Sequence, residues 1–346
     1  MKKIAVGLSG GVDSSVVLLL LKEQGYYVTG VHMQCWDYNE EGCTGEQDKA
    51  DAVAICAQLE VPFKFLDFQK EYQEKVIKNF YDEYEAGRTP NPDILCNKEV
   101  KFGLFLDWAL SEGFDMVATG HYAKIIREDI PRLYIPKDRS KDQTYFLYRL
   151  DSEKLDKILF PLGDMLKDEV KEIAFQNNLK NFNKPESMGI CFIGKINVRD
   201  FLKRRIKEKV GEVLNLKGDV IGKHKGVAFY TIGQRHGFEI FKYTGNPMYV
   251  IHKNAQNNIL TVGNEDEARR DSFEVSDISF INEVFQEKME LYIRIRHLGE
   301  IYKAEVLFEN NKASVKIKEM VFGIAPGQSC VFYSENNQVL GGGIIN

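Results

Sequence analysis

The sequence predicts an α/β protein in three parts: a doubly wound parallel-sheet domain, a small β-rich domain, and a β-barrel-like domain. Over the first two thirds, short apolar runs alternate with longer amphipathic stretches, the pattern of βαβ units. After about Leu202 the period changes, and glycines 211, 218, 222, 226, 233, 237 and 245 punctuate short segments. From about Ser272 onward, alternating apolar and polar residues read as antiparallel strands. A chain of 346 residues has room for two or three such domains, with expected boundaries at 1–202, 203–271 and 272–346.

The elements follow in order. Ile4 to Leu8 reads as the first strand and Ser14 to Glu23 as the first helix; Val28 to Met33 is the second strand, followed by a helix ending near Leu59. Phe63 to Asp67 is a third strand, and Tyr72, Val76, Phe80 and Tyr84 mark one face of a long helix. A loop rich in Pro and Asn leads to a helix from Lys98, then the strand Met116 to Thr119. Val227 to Tyr230 and Met248 to Ile251 are expected strands of the second domain. Leu291 to Ile295, Tyr302 to Phe308, Ala313 to Ile317 and Ser329 to Tyr333 are those of the third.

Composition narrows the function classes. An apolar fraction of 44% with a net charge of only −5 excludes a disordered or fibrous chain and disfavours a generally sticky nucleic-acid binder, while permitting local basic patches. Six cysteines over this length are too few for a disulfide scaffold, and none forms a Cys-x-x-Cys pair, so single thiols become candidates for chemistry. The apolar start, Ile4 to Leu8, is too short for a signal peptide. The run Val16 to Leu21 is far short of the ~20 residues needed to span a bilayer. A cytoplasmic protein without a membrane partner is expected.

Gly7-Leu8-Ser9-Gly10-Gly11-Val12-Asp13-Ser14 joins the first strand to the first helix, where an open α/β sheet offers backbone amides to an anion. Paired glycines let the backbone approach phosphate oxygens, the serines add donors, and Asp13 is placed to orient the loop or face Mg2+. A Walker lysine and Gly-x-Gly-x-x-Gly are both missing, which disfavours a kinase-like loop or a dinucleotide fold. Met33 and Gly120 are expected at the same sheet edge, framing adenosine. Cys96 follows Asn91, Pro92 and Asp93 and is expected just before a helix, where the dipole, Lys98 and Lys101 would favour thiolate. Asp93 could shuttle a proton. Cys191, between Gly189 and Gly194, reads by itself as a buried structural thiol.

The S-G-G-x-D-S loop resembles that of the pyrophosphatase-loop adenylating enzymes, with an adenine nucleotide alpha-hydrolase-like fold. With N-P-D-x-x-C-N at 91 to 97, G-H-Y at 120 to 122, K-D-Q at 141 to 143, S-M-G-I-C-F-I-G at 187 to 194, T-I-G-Q-R-H-G at 231 to 237 and A-P-G-Q at 325 to 328, the chain as a whole resembles the bacterial tRNA-specific 2-thiouridylases of MnmA type. The resemblance implies that ATP adenylates the C2 oxygen of the wobble uridine, giving AMP and pyrophosphate. Cys191 would carry a persulfide taken from a sulfur-relay protein or cysteine desulfurase. Cys96 would be the nucleophile that releases the sulfur or attacks the activated base, and a transient Cys96–Cys191 disulfide would follow. A second mechanism makes Asp93, Cys96 and Cys191 ligands of an iron-sulfur cluster with an open iron.

The same resemblance implies tRNA contacts at Asn91, Pro92, Asp93, His121, Lys141, Asp142, Gln143, Arg294, Ile295 and Gln328. The family's R-Y-R-Q strand reads Arg294-Ile295-Arg296-His297 here, which leaves anticodon recognition open. The stretch from Lys195 to Lys209 carries a net charge of +5 and serves either phosphate tracking or a solvated helix face with Phe201 and Leu202 inward. Cys35 and Cys43 flank an acidic loop, Trp36 to Gln47, expected to be a lid over ATP rather than a metal site. Three alternatives stay open: a ligase adenylating a small-molecule acceptor, a thiolase acting on another RNA, and a non-enzymatic RNA-binding or sulfur-carrier protein.

Overall fold

A computed structural model describes residues 1–37, 45–186, 189, 191–194, 197–241 and 245–346. Residues 38–44 of the expected lid, Cys43 among them, the motif residues Ser187, Met188 and Ile190, and Lys195 of the basic stretch fall outside the described residues.

The first domain runs β1 (Lys3–Gly7), α1 (Val12–Glu23), β2 (Tyr27–Gln34), α2 (Gly45–Gln58), β3 (Phe63–Asp67), the helical runs α3 (69–85) and α4 (92–111), and β4 (Met116–Ala118). A hairpin, β5 (Lys124–Arg127) and β6 (Pro131–Tyr134), follows, then α5 (Ser152–Asp156), β7 (Ile158–Leu159), α6 (Lys167–Gln176) and α7 (Val198–Lys203). The parallel sheet has the order β3-β2-β1-β4-β7. Helices cover both faces, which explains why Ile4, Ala5 and Val6 are all fully buried and why the apolar run in α1 is core rather than membrane segment. Among the described residues no helix is long and apolar enough to cross a membrane.

Two departures from the sequence expectation concern α4 and the middle domain. The helix carrying Cys96 starts at Pro92, not near Lys98: Asn91 caps it, its Oδ1 accepting the Asp93 N–H at 3.1 Å, and Pro92 fits the first turn. The segment Cys96–Leu104 is wound as a wider π-type helix. In the second domain, β8 (Gly211–Leu214), β9 (Val220–His224), β10 (Glu239–Ile240), β11 (Tyr249–Asn254) and β12 (Ile259–Gly263) form a sheet of order β10-β9-β8-β12-β11. The expected strand Val227 to Tyr230 is instead a short 3₁₀ turn, Val227–Phe229, because Gly226 at φ +128° breaks the extended path.

The last domain contains β13 (Arg269–Phe280), β14 (Lys288–Arg294), β15 (Tyr302–Glu309), β16 (Lys312–Phe322), β17 (Ser329–Tyr333) and β18 (Gln338–Ile345). In order β13-β16-β15-β14-β17-β18, with β13 also paired to β18, the six strands close into an antiparallel barrel. The β5–β6 hairpin of the first domain pairs onto β18, Leu133 opposite Val339. Chain order and sheet membership therefore differ at this hairpin.

Beside that hairpin the barrel is pinned by a buried ion pair. Arg294 Nη1 lies 2.6 Å from Asp142 Oδ2, and Asp142 is fully buried. The other Asp142 oxygen accepts from the Thr144 N–H (2.9 Å) and hydroxyl (2.7 Å), while the Tyr145 hydroxyl donates to the Ser329 carbonyl at 2.9 Å. Asp142, Arg294 and Ile295 are the three residues expected at an RNA contact. All three are buried between the first domain and the barrel, and a charge inside protein persists only where a counter-charge holds it. Asp142→Asn or Arg294→Met should each lower stability by about 3–5 kcal/mol, and the double variant by less than the two summed. Urea titration of the four proteins checks this, and additive losses would contradict the pairing.

Candidate active site

The loops after β1 and β4 meet at the carboxyl edge of the parallel sheet. The β1–α1 loop closes on itself: Ser9 N–H donates to Ser14 Oγ at 3.3 Å, and the Ser14 and Ser15 hydroxyls donate to the Gly11 carbonyl at 3.1 and 3.0 Å. Gly10 sits at φ +73°, and a Cβ there would come within 2.4 Å of the Asp48 carbonyl oxygen at the start of α2. A Cβ on Gly120 would come within 2.9 Å of the Ser14 nitrogen, so this glycine lets the β4 loop pack on the nucleotide loop. Met33, at the end of β2, is buried, its methyl group facing Gly7.

Asp13 projects from the first turn of α1 into a polar cluster. The Tyr122 hydroxyl donates to its Oδ1 at 3.0 Å, and Lys167 Nζ stands 2.7 and 2.8 Å from its two oxygens. Burial of Tyr122, with Asp13 beside it, raises its phenol so that the hydroxyl stays protonated and donates. Asn181 ties the far side of the loop, donating to the Gly10 carbonyl and Ser15 Oγ at 2.9 Å each.

The second half of the site is a thiol centre. Cys96 Sγ and Cys191 Sγ are 3.4 Å apart although ninety-five positions separate them. The Cys191 peptide is gripped from both sides: its N–H donates to Asp93 Oδ1 at 3.0 Å, and its carbonyl accepts the Tyr72 hydroxyl at 2.7 Å. The next residue, Phe192, has φ +66°, a strained conformation for an aromatic side chain, and its ring packs edge-on against Tyr72.

The electrostatics distinguish the two sulfurs. Cys96 is fully buried, and burial pushes its thiol well up; the dipole effect expected at a helix start is lost because Cys96 lies inside the helix, and Lys98 pairs with Glu99 at 3.2 Å. Cys191, which the sequence suggested was structural, is part-exposed and moves the other way. The Cys96 S–H donates to it, the Lys101 ammonium adds a favourable charge, and together they outweigh the cost of burial. Lys101 is itself held cationic, against burial, by the two thiol groups and Asp93. Burial raises the Asp93 carboxyl, and the Cys191 amide and Lys101 oppose that rise. The arrangement favours thiolate character at Cys191 over Cys96, with the Asp93 carboxyl alongside.

His121, expected to touch RNA, is buried in the wall of the thiol centre. Its Nδ1 lies 2.7 Å from Thr119 Oγ1 and its Nε2 3.5 Å from Lys101 Nζ, while the ring packs against Phe102 and Phe160. Burial, then Lys101, lowers its pKa well below the usual value, so the neutral ring accepts from the lysine. Lys141 and Gln143 remain part-exposed; Gln143 accepts the Tyr122 N–H, and Lys141 pairs with Glu186 at 2.7 Å. Gln328 donates to the Thr89 carbonyl at 2.7 Å, two residues before the Asn91 cap, so the barrel steadies the loop feeding α4. In α7, Phe201 and Leu202 are buried and Arg199 and Lys203 pair with Glu208, as the solvated-face alternative expects. Tyr72, Lys167, Glu186 and Asn181 carried no sequence signal beyond residue type.

The fold and site define an α/β nucleotide-loop protein with a two-thiol centre at the same sheet edge. Family models match over residues 2–195 (tRNA methyl transferase HUP domain), 199–264 (tRNA methyl transferase PRC-barrel domain) and 270–345 (aminomethyltransferase beta-barrel domain). The chain is 46% identical over 354 residues to tRNA-specific 2-thiouridylase MnmA 1 of Geobacillus kaustophilus, covering 100% of this chain and 95% of that protein. It is 44% identical to the MnmA of Staphylococcus epidermidis and 41% to that of Pediococcus pentosaceus, each covering 99% of this chain and 95% of the relative. The chain belongs to the MnmA family of tRNA-specific 2-thiouridylases. Looser likenesses include a Methanococcus maripaludis U34-tRNA thiolase, NcsA, with its [4Fe-4S] cluster (21% identity, TM-score 0.36, 56% of this chain and 62% of that one). A 4-thiouridine synthetase in complex with RNA and ATP aligns with 18% identity and a TM-score of 0.39, over 59% of this chain and 50% of that one.

Replacing Lys101 with Met removes a cation from the Cys191 thiolate, so the pH midpoint for alkylation of Cys191 should rise by about one unit or more, while Lys101→Arg keeps it near the wild-type value. Iodoacetamide labelling followed by peptide mass spectrometry across pH 6–10 measures this. An unmoved midpoint in the Met variant would remove Lys101 from the thiolate's support.

Proposed function

We infer that this chain is an ATP-dependent tRNA sulfurtransferase that converts the wobble uridine to 2-thiouridine. The observation that carries this is the 3.4 Å contact between Cys96 and Cys191 beside a nucleotide loop on one sheet edge. Although the family-model description names methyl transfer, paired thiols with opposed pKa shifts suit sulfur transfer.

The uridine C2 oxygen is a poor leaving group, so it first attacks the α-phosphorus of ATP. The O2–P bond forms, the α–β phosphoanhydride breaks, and pyrophosphate leaves with the electron pair as the base gives up its N3 proton. The part-exposed Cys191 accepts a sulfur from a persulfide donor, which cannot reach the buried Cys96. The terminal persulfide sulfur then attacks C2, and AMP departs. Cys96 delivers its proton to Asp93 and attacks Cys191 Sγ, forming the disulfide; the sulfur on C2 leaves with the electron pair of the broken S–S bond, and N3 takes back a proton through Asp93 to give the thiocarbonyl base, after which a thiol reductant returns both cysteines to thiols. The base must leave its stack to enter, and Asn91, Pro92, Lys141 and Gln143 at the part-exposed rim suit the tRNA contact.

Mg2+ is ordinarily held by one or two carboxylates plus substrate phosphates, so Asp13 fits as its protein ligand, where the ion would draw charge from the phosphate oxygens. The iron-sulfur alternative fits less well: the two sulfurs face each other, and no group of three metal-ligating side chains is assembled among the described residues.

Labelled ATP, purified protein and unmodified tRNA should give AMP and pyrophosphate only when the wobble base is uridine, and Cys191→Ser should retain that release while losing 2-thiouridine. RNA-independent release would point to a small-molecule acceptor. Loss of activity on removal of tightly bound iron would restore the cluster mechanism.

A further inference from the structure

We propose that Phe146 and His297 form a stacking platform for a second nucleobase of the RNA, next to the uridine that enters the site, with His297 as a specificity-determining residue. Resting on the tRNA thiolation inferred above, this gives a nucleotide other than the reacting one a named surface.

The two rings come from different domains. Phe146 ends the short 3₁₀ turn Thr144–Phe146 of the first domain, and His297 lies in the turn that follows β14 of the barrel. Both residues are part-exposed, and their ring centres are 4.2 Å apart at an interplanar angle of 35°. The buried Asp142–Arg294 ion pair joins the same two segments, so a charge contact inside the protein fixes how the rings meet. Tyr145, whose hydroxyl is held by the Ser329 carbonyl, backs the imidazole with its ring centre 6.3 Å away.

Three observations point to a nucleobase. The platform is continuous with the rim of the site: the Phe146 N–H donates to the Gln143 carbonyl at 3.0 Å, and Gln143 Oε1 accepts the Tyr122 N–H at 2.9 Å. Cations flank it, Lys141 part-exposed and Arg296 exposed, as the phosphates on either side of a stacked base require. Packing alone does not account for an imidazole here, because His297 Nδ1 is buried without a hydrogen-bond partner, a cost that a phenyl ring would avoid. Burial lowers the His297 pKa, against the pull of Asp142, and a neutral imidazole offers a π face to any base and Nε2 to a base edge. The ring also stands where the family pattern R-Y-R-Q has Gln, so this chain replaces a flexible amide with a stacking group.

The test is fluorescence anisotropy at pH 8 with the full chain and unmodified anticodon stem-loop RNA carrying the wobble uridine. Two further RNAs are abasic at its 5′ or its 3′ neighbour. His297→Ala and Phe146→Leu should each weaken binding of the intact RNA about tenfold, and His297→Tyr should keep most of the affinity. One abasic RNA should bind wild type about tenfold more weakly and lose nothing more with His297→Ala. The salt dependence of binding should stay the same in every variant, because no phosphate contact is removed. Among four stem-loops that differ only at that neighbour, His297→Gln should change the order of preference. Wild-type affinity in both His297→Ala and Phe146→Leu, or losses that add to those of both abasic RNAs, would overturn the platform. A loss of affinity with a flattened salt dependence makes the ring pair structural, and an unchanged base preference in His297→Gln removes its specificity role. Wild-type protein that binds none of the RNAs would instead overturn the tRNA reading on which the proposal rests.

Discussion

Two sulfurs from distant parts of the chain must touch, and that requirement shapes the surrounding structure. Cys96 is carried on a helix and Cys191 on a loop, and neither element would hold a 3.4 Å contact alone. Asp93 sits one helical turn before Cys96, so the same turn that presents the thiol also accepts the Cys191 amide. Tyr72, from α3, takes the carbonyl on the opposite side. A loop held at both ends of one peptide can keep Phe192 in a strained conformation, because the surrounding bonds over-determine it. The barrel extends this support outward, since Gln328 holds Thr89, just before the cap of the helix carrying Cys96.

The same geometry sets the charges. Two thiols in contact cannot both ionise cheaply, so one proton is shared and the pair divides into an acid and a base. The hydrogen bond decides the direction: the Cys96 S–H donates to Cys191 and Lys101 adds its charge there, so burial raises Cys96 while Cys191 is lowered. Thiolate character thus falls on the sulfur that accepts the hydrogen bond and faces the cation. His121 reinforces this by remaining neutral, so that it accepts from Lys101 without competing with it for the thiolate.

What the sequence revealed was what local pattern encodes. Strand and helix periodicity and the Ser9 to Ser14 turn are properties of neighbouring residues, and they appear in the structure with ends shifted by a few positions. The site's pairings lie between distant segments, and side-chain type misled where burial reversed its usual meaning. Asp142 and Arg294 are charged residues that usually lie at the surface, yet each is the other's reason for being inside. The Cys191 stretch is apolar and reads as core, but its loop brings the sulfur within 3.4 Å of Cys96. The helix carrying Cys96 begins at Pro92 rather than near Lys98 because Asn91 and Pro92 form its cap, itself a strong helix signal.

The Thr119 to Tyr122 segment shows why the nucleotide and sulfur halves belong to one centre. Gly120 has no side chain, so its backbone can press on Ser14. The residue after it, His121, turns to the thiol side and meets Lys101, while the residue after that, Tyr122, turns to the loop and donates to Asp13. The Tyr122 backbone N–H is held by Gln143, one residue past the aspartate that anchors the barrel. A displacement of the nucleotide loop therefore acts on both neighbouring side chains of a short connection whose position is fixed by the barrel. In the proposed reaction adenylation and sulfur delivery act on one uridine C2 in succession, and this shared connection ties together the two groups of residues that would serve them.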